Sequence, residues 1–351
     1  MTTTESDLYD RLRTVEDPDL GDDIVTAGLV TDLDVDEASA TVELALEAPH
    51  APTEAAIVDE VHAVVEAAGL EPHLVAAPRR EDDPETAVLP NVRNVVAVAS
   101  GKGGVGKTTV ATNLAAGLAD RGARVGILDA DVYGPNVPRM LGVADDPAVE
   151  EADGEQFITP PEEHDVAVMS MDLLVDREEA VVWRGPMADR ALSELFEDVT
   201  WGQLDYLVVD LPPGTGDVQL TMLQNLPVTG AVVVTTPQAV ATDDTRKGLR
   251  LFGRYETPVL GVVENMARFV CPDCGGDHEI FGADGGRDLA DEFDVPFLGS
   301  LPLDPAVRSD GTPVVLGDGD AAAAFDDLGG TVADRVGQLH RHRRRRAAGG
   351  D

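Results

Sequence analysis

Eight consecutive residues, Gly101-Lys102-Gly103-Gly104-Val105-Gly106-Lys107-Thr108, satisfy the spacing G-x-x-x-x-G-K-[ST] by which a chain cradles phosphates. Glycines let backbone N–H groups converge on phosphate oxygens with no Cβ in the way. The loop follows an apolar run at 95–99 and opens a segment of helical character at 109–120, whose N-terminus adds partial positive charge. In this frame Lys107 would reach the β- and γ-phosphates of ATP and the Thr108 hydroxyl would bind Mg²⁺, with the loop backbone and Thr109 completing the nucleotide set. A glycine-rich turn that binds nothing would not explain the strand–loop–helix order.

Carboxylates stand where such a loop needs them. Asp129 and Asp131 end a second apolar run, and ligands bind at the carboxyl ends of parallel strands, so both can reach Mg²⁺ and an attacking water. An acidic strand end in an acid-rich chain is the blander reading. Asp210 closes a third run (207–209) ahead of Leu211-Pro212-Pro213-Gly214-Thr215-Gly216-Asp217, and fits the role of holding Mg²⁺ through water beside a loop that senses the γ-phosphate. Asn265 ends a later run, where an isolated asparagine is more often a turn former.

Cys271-Pro272-Asp273-Cys274 holds the only two cysteines of the chain. Two thiolates at this spacing can bind one metal centre, and a two-fold dimer would bring four sulfurs together for a 4Fe–4S cluster. A zinc bridging a dimer, a Cys2His site using His278, a redox dithiol and a plain turn are the other readings.

The elements that must position these groups follow from hydrophobic periodicity. Continuous apolar runs at 95–99, 125–128, 166–169, 206–209, 230–235 and 259–263 alternate with helical or loop segments, the pattern of a doubly wound, mostly parallel α/β sheet. This P-loop NTPase domain is expected over 92–340. Residues 1–80 form a small α+β domain, with short alternating segments and a helix carrying Ile57, Val61 and Val65. A charged, proline-flanked linker occupies 81–91, and 341–351 is expected to be a basic disordered tail.

Composition narrows the function classes. The chain has 66 acidic against 26 basic residues, a net charge of −40 and 43% hydrophobic residues. Such a surface repels nucleic-acid phosphates, and the hydrophobic content argues against disorder. Adaptation to a salty cytoplasm accounts for it, since screening acts over roughly 3 Å at 1 M salt. Only three lysines occur against 23 arginines, and Lys102 and Lys107 share one loop. No run reaches the ~20 apolar residues of a membrane span, and the N-terminus lacks a signal-peptide pattern, so a cytoplasmic location is expected.

With Lys102 ahead of Lys107, the loop resembles the deviant Walker A class that includes MinD, ParA, arsenite ATPases and the nitrogenase iron protein. Asp129-Ala130-Asp131-Val132-Tyr133-Gly134-Pro135-Asn136, Trp183-Arg184-Gly185-Pro186-Met187, the Asp210 loop, Glu264-Asn265-Met266 and the CPxC motif together resemble the Mrp/ApbC iron–sulfur cluster carrier ATPases. The resemblance implies a homodimer in which Lys102 reaches the partner's nucleotide. It gives Asp131 the switch role of positioning water, Asn265 an adenine contact, and Cys271 and Cys274 a 4Fe–4S cluster bridging the dimer for delivery to apoprotein clients. Residues 1–80 resemble a small domain of iron–sulfur assembly factors through Asp17-Pro18-Asp19-Leu20, with Ala51 where that domain often carries a cysteine. The acidic balance and scarce lysine resemble haloarchaeal proteins. Two other readings stay open. A spatial organiser acting on a membrane or nucleoid surface would use the helically spaced Phe325, Leu328, Val332, Val336 and Leu339 with the arginines beyond; a metabolic kinase would share only the P-loop.

Overall fold

The structure is a computed structural model describing all residues except 1–2, 78–87, 133, 153–154, 175–194, 196–197, 272–273, 275, 309–310 and 350–351. Much of the expected linker, Tyr133, the 183–187 motif, Pro272 and Asp273 therefore lie outside the described residues. The chain divides into two units, Met1–Asp83 with Ala333–Asp351, and Pro84–Val332.

In the smaller unit, α1 (Glu5–Leu12) starts at a capping box in which the Thr4 hydroxyl and the Asp7 carboxylate each accept the other's backbone N–H. Strands β1 (Val30–Val35) and β2 (Ser39–Leu44) are antiparallel, and β3 (Glu71–Ala76), which follows α2 (Pro52–Ala67), runs parallel to β2. Leu8, Leu12, Ile24, Leu29, Val42, Ile57, Val61 and Val65 fill its core.

Ala51, the residue standing in place of a cysteine, is buried at the N-cap of α2 and supplies no side-chain cap. The Asp334 carboxylate instead accepts the Thr53 N–H at 2.7 Å. Asp334 lies on the C-terminal helix (Asp320–Gly349), which corrects the expected disordered tail: residues 341–349 are helical. Arg341 is 1% exposed, with Nε 2.9 Å from Asp17, Nη1 3.0 Å from Glu54, and Nη2 on Asp19. Arg345 pairs with Asp22 at 2.7 Å. Burial pushes the Glu54 carboxyl up, and the Arg341 charge opposes that shift. The surrounding carboxylates offset the cost of taking that guanidinium out of water. Phe325, Leu328, Val332 and Val336 are buried too, so the apolar stripe of this helix is already covered.

The larger unit has one eight-stranded sheet. Its strands are β4 (Val92–Ser100), β5 (Val125–Asp129), β6 (Glu162–Glu163), β7 (Val166–Ser170), β8 (Leu204–Asp210), β9 (Gly230–Thr235), β10 (Val259–Glu264) and β13 (Phe297–Ser300). They lie in the order β6-β7-β5-β8-β4-β9-β10-β13, with every pair parallel except β6 with β7. Every residue of β5, β8 and β9 is buried, as continuous apolar runs require of central parallel strands. Helices α3 (Lys107–Asp120), α4 (Val137–Leu141), α5 (Asp217–Asn225), α6 (Ala239–Arg254) and α7 (Gly285–Phe293) connect them. A short hairpin, β11 (Phe269–Val270) with β12 (Asp277–His278), carries the cysteines at its tip. The six expected strands are all present. Sequence reasoning missed β13, only four residues with a glycine among them, and the two-residue strands of the hairpin. No helix among the described residues is long and apolar enough to cross a membrane.

Candidate functional site: a phosphate loop, a carboxylate pair and a cysteine hairpin

The loop from Ser100 to Lys107 joins β4 to α3, and two of its glycines adopt left-handed geometry, Gly104 at φ 82° and Gly106 at φ 83°. Gly101 is needed for another reason: a Cβ there would collide with the backbone of Asp244 and Thr245 at α6. Lys107, buried at the start of α3, pairs with Asp210 Oδ1, while the Thr108 hydroxyl donates to Asp210 Oδ2 at 2.7 Å. Thr109 follows on the first turn of α3. Lys102 is half-buried, and its ammonium has no hydrogen-bond or ion-pair partner among the described residues.

Strand register brings the carboxylates together. Asp210 stands opposite Asp129 on the adjacent ends of β8 and β5. Both are buried, and burial first, then mutual repulsion, pushes Asp129 up to about 7. Burial likewise raises Asp210, opposed by the Lys107 charge. The oxygens of Asp129 accept N–H groups of Asp131 at 3.1 Å, Asn136 at 2.9 Å and Val137 at 3.0 Å. Through these bonds Asp129 ties down the loop that presents Asp131. Asp131 is half-buried at this strand end and close enough to Asp210 for its charge to raise that carboxyl. Gly214, in the loop after Asp210, donates its N–H to the Ser100 carbonyl at 2.9 Å and so sits beside the phosphate loop.

Asn265, buried at the end of β10, donates its side-chain N–H to the Val105 carbonyl of the phosphate loop at 2.9 Å. The residue before it, Glu264, is buried and accepts the Gly286 N–H at the N-terminus of α7. Sequence reasoning passed over Glu264, although a carboxylate at a parallel strand end was itself a signal. Glu264, Phe269, His278, Ile280, Asp284 and Ser300 border an open cavity of about 1000 Å³ between this strand end and the hairpin.

Cys271 is half-buried and Cys274 exposed, and neither is in a disulfide. The Cys271 N–H donates to the Gly276 carbonyl at 2.9 Å, closing the hairpin tip. A Cβ on Gly276 would lie 3.3 Å from both Cys274 Sγ and His278 Nε2, so glycine keeps that space open. Among the described residues there is no group of three or more His, Cys, Asp or Glu already placed to hold a metal ion.

With this geometry in hand, comparisons with known proteins gave consistent matches. Residues 91–332 match the family model described as NUBPL iron-transfer P-loop NTPase, and residues 5–71 match that of the iron–sulfur cluster assembly protein. The iron–sulfur cluster carrier protein of Deinococcus radiodurans is 45% identical over 324 residues, covering 90% of this chain and 91% of the relative. That of Synechocystis is 40% identical over 334 residues, covering 92% and 94%. Among solved structures, a nucleotide-binding protein from Archaeoglobus fulgidus in complex with ADP, with cobalt found, aligns with TM-score 0.55 and 34% identity over 72% of this chain and 93% of its own.

Proposed function

Because the chain belongs to the family of NUBPL iron-transfer P-loop NTPases, we propose that its ATP cycle works on an iron–sulfur cluster held by Cys271 and Cys274. It is a nucleotide-hydrolysing iron–sulfur cluster carrier, and its relatives of similar length are named iron–sulfur cluster carrier proteins. The observation that carries the reading is the placement of the thiols. They sit on a hairpin that leaves the same strand end, β10, from which Asn265 contacts the phosphate loop.

The geometry supports an assignment of the catalytic residues. Lys107 and Thr108 converge on Asp210, and this set of hydroxyl and carboxylate oxygens suits a hard cation such as Mg²⁺. When bound, Mg²⁺ supplies charge neutralisation at the β- and γ-phosphate oxygens. Lys107 exchanges its carboxylate partner for those phosphates, and the loop amides at 103–108 donate hydrogen bonds to their oxygens. Asp131 orients the attacking water, held in place by the Asp129-anchored loop. Lys102, with no hydrogen-bond or ion-pair partner among the described residues, reaches the nucleotide of a second protomer, so the working form is a homodimer.

Two thiols cannot complete a four-sulfur set, and the dimer supplies the other two for a bridging 4Fe–4S cargo. An accessible cysteine pair at a hairpin tip can both take up and surrender that cargo, and its recipients are apoproteins awaiting clusters. We place this activity in the cytoplasm, where thiols stay reduced.

Anaerobic reconstitution with iron and sulfide tests the reading. Wild type should take up about two iron per chain with a visible cluster chromophore, the share of one 4Fe–4S cluster between two chains. The double variant Cys271→Ala/Cys274→Ala should take up none. Zinc bound with no iron uptake by wild type would refute the reading.

A further inference from the structure

Five residues separate the side chain that touches the phosphate loop from the first cysteine, and each is fixed by a contact. The Asn265 backbone N–H donates to Thr235 at 2.8 Å, and its side-chain amide reaches Val105. That amide also fills the space a Cβ on Gly106 would occupy, with the Met266 methyl 3.7 Å from the same point. Met266 has φ +57°, and its N–H donates to the Asn265 side-chain oxygen at 2.9 Å. A non-glycine residue holds such a conformation only where its surroundings enforce it. Ala267 N–H donates to Leu301 at 3.0 Å, and Arg268 accepts the Leu303 N–H at 2.7 Å. The next two residues form β11, and Cys271 closes the hairpin.

We propose that Asn265–Met266 is a relay that reports occupancy of the phosphate loop to the cysteine hairpin, so that nucleotide changes the exposure of Cys271 and Cys274 in the same chain. Nucleotide entry repositions the 103–107 backbone, and the Asn265 amide then either keeps Val105 or yields it to the ligand. One amide with two alternative partners is a two-state element, which coupling between sites requires. Because the Glu264 carboxylate holds β10 at Gly286, displacement at Asn265 passes forward through Met266 toward the hairpin rather than back along the strand. The inference rests on the reading that the cysteines carry the cargo, but its test needs no cluster.

Cys271 and Cys274 are the only cysteines, so the alkylation rate of iron-free protein by N-ethylmaleimide reads the hairpin alone. In wild type, saturating ADP or a non-hydrolysable ATP analogue should change that rate roughly fivefold or more, the lower range of ordinary coupling between sites. Two glycines inserted between Arg268 and Phe269 should leave binding of a fluorescent ADP intact and abolish the response. Asn265→Ala, compared at matched nucleotide occupancy, should abolish it as well. A wild-type rate indifferent to nucleotide, or an insertion variant that responds as wild type does, would overturn the relay. Cluster reconstitution can fail without altering this result, and a flat alkylation rate would leave cluster binding standing.

Discussion

At the residue scale, the densest chemistry is the Lys107–Asp210–Asp129 cluster, where one buried cation faces two buried carboxylates. Asp129 is raised from an ordinary 3.8 to about 7, so across this window the folded chain retains a proton that the unfolded chain has released. Stability from this group is therefore complete below about pH 4 and lost as pH rises through about 7, at up to about 1.4 kcal/mol per pH unit. Thermal melts of nucleotide-free protein between pH 6 and 8 should show that decline, flattened in Asp129→Asn. Lys107→Ala removes the cation that exchanges Asp210 for phosphate. Its kcat for ATP hydrolysis should fall by about 100-fold or more, as loss of a preorganised charge donor does; a steady-state phosphate-release assay reads this directly.

At the element scale, the phosphate loop was readable because its function is local: eight contiguous residues between an apolar strand and a helix fix both the chemistry and the geometry. The six central strands were readable for the same reason, each being a continuous apolar run. The helical spacing from Phe325 to Leu339 was readable too, but the continuation of that helix through Arg341 to Gly349 was not. Its arginines look like a solvated tail until the fold sets Arg341 among Asp17, Asp19 and Glu54, about three hundred positions away, and no periodicity encodes such a pairing. The Asn265–Val105 bond and the role of Asp129 as a loop anchor escaped for the same reason. Removing one partner of a buried ionic network leaves the others uncompensated. Arg341→Met should therefore destabilise the smaller unit by about 3–5 kcal/mol in urea titrations. A change within about 0.5 kcal/mol, the range of ordinary surface substitutions, would contradict this assignment.

At the scale of the whole molecule, a net charge of −40 means that self-repulsion opposes folding wherever screening is weak. Raising KCl from about 0.1 M to about 1 M shortens the screening length from roughly 10 Å to roughly 3 Å, so Tm should rise over that range. A Tm that falls with added salt would show that specific ion pairs outweigh this repulsion. The same charge leaves few basic side chains for tasks beyond structure, and Lys102, half-buried with no partner among the described residues, is among them. The central claim is that this ATPase surrenders a cluster, and transfer tests it most directly. Reconstituted, desalted wild-type protein is mixed anaerobically with an apo-form 4Fe–4S enzyme in the presence of chelator, and recovered enzyme activity is followed. The account predicts activation by wild type and none by Cys271→Ala/Cys274→Ala. Equal activation by both, or a wild-type cluster that stays bound while the acceptor remains inactive, would contradict it.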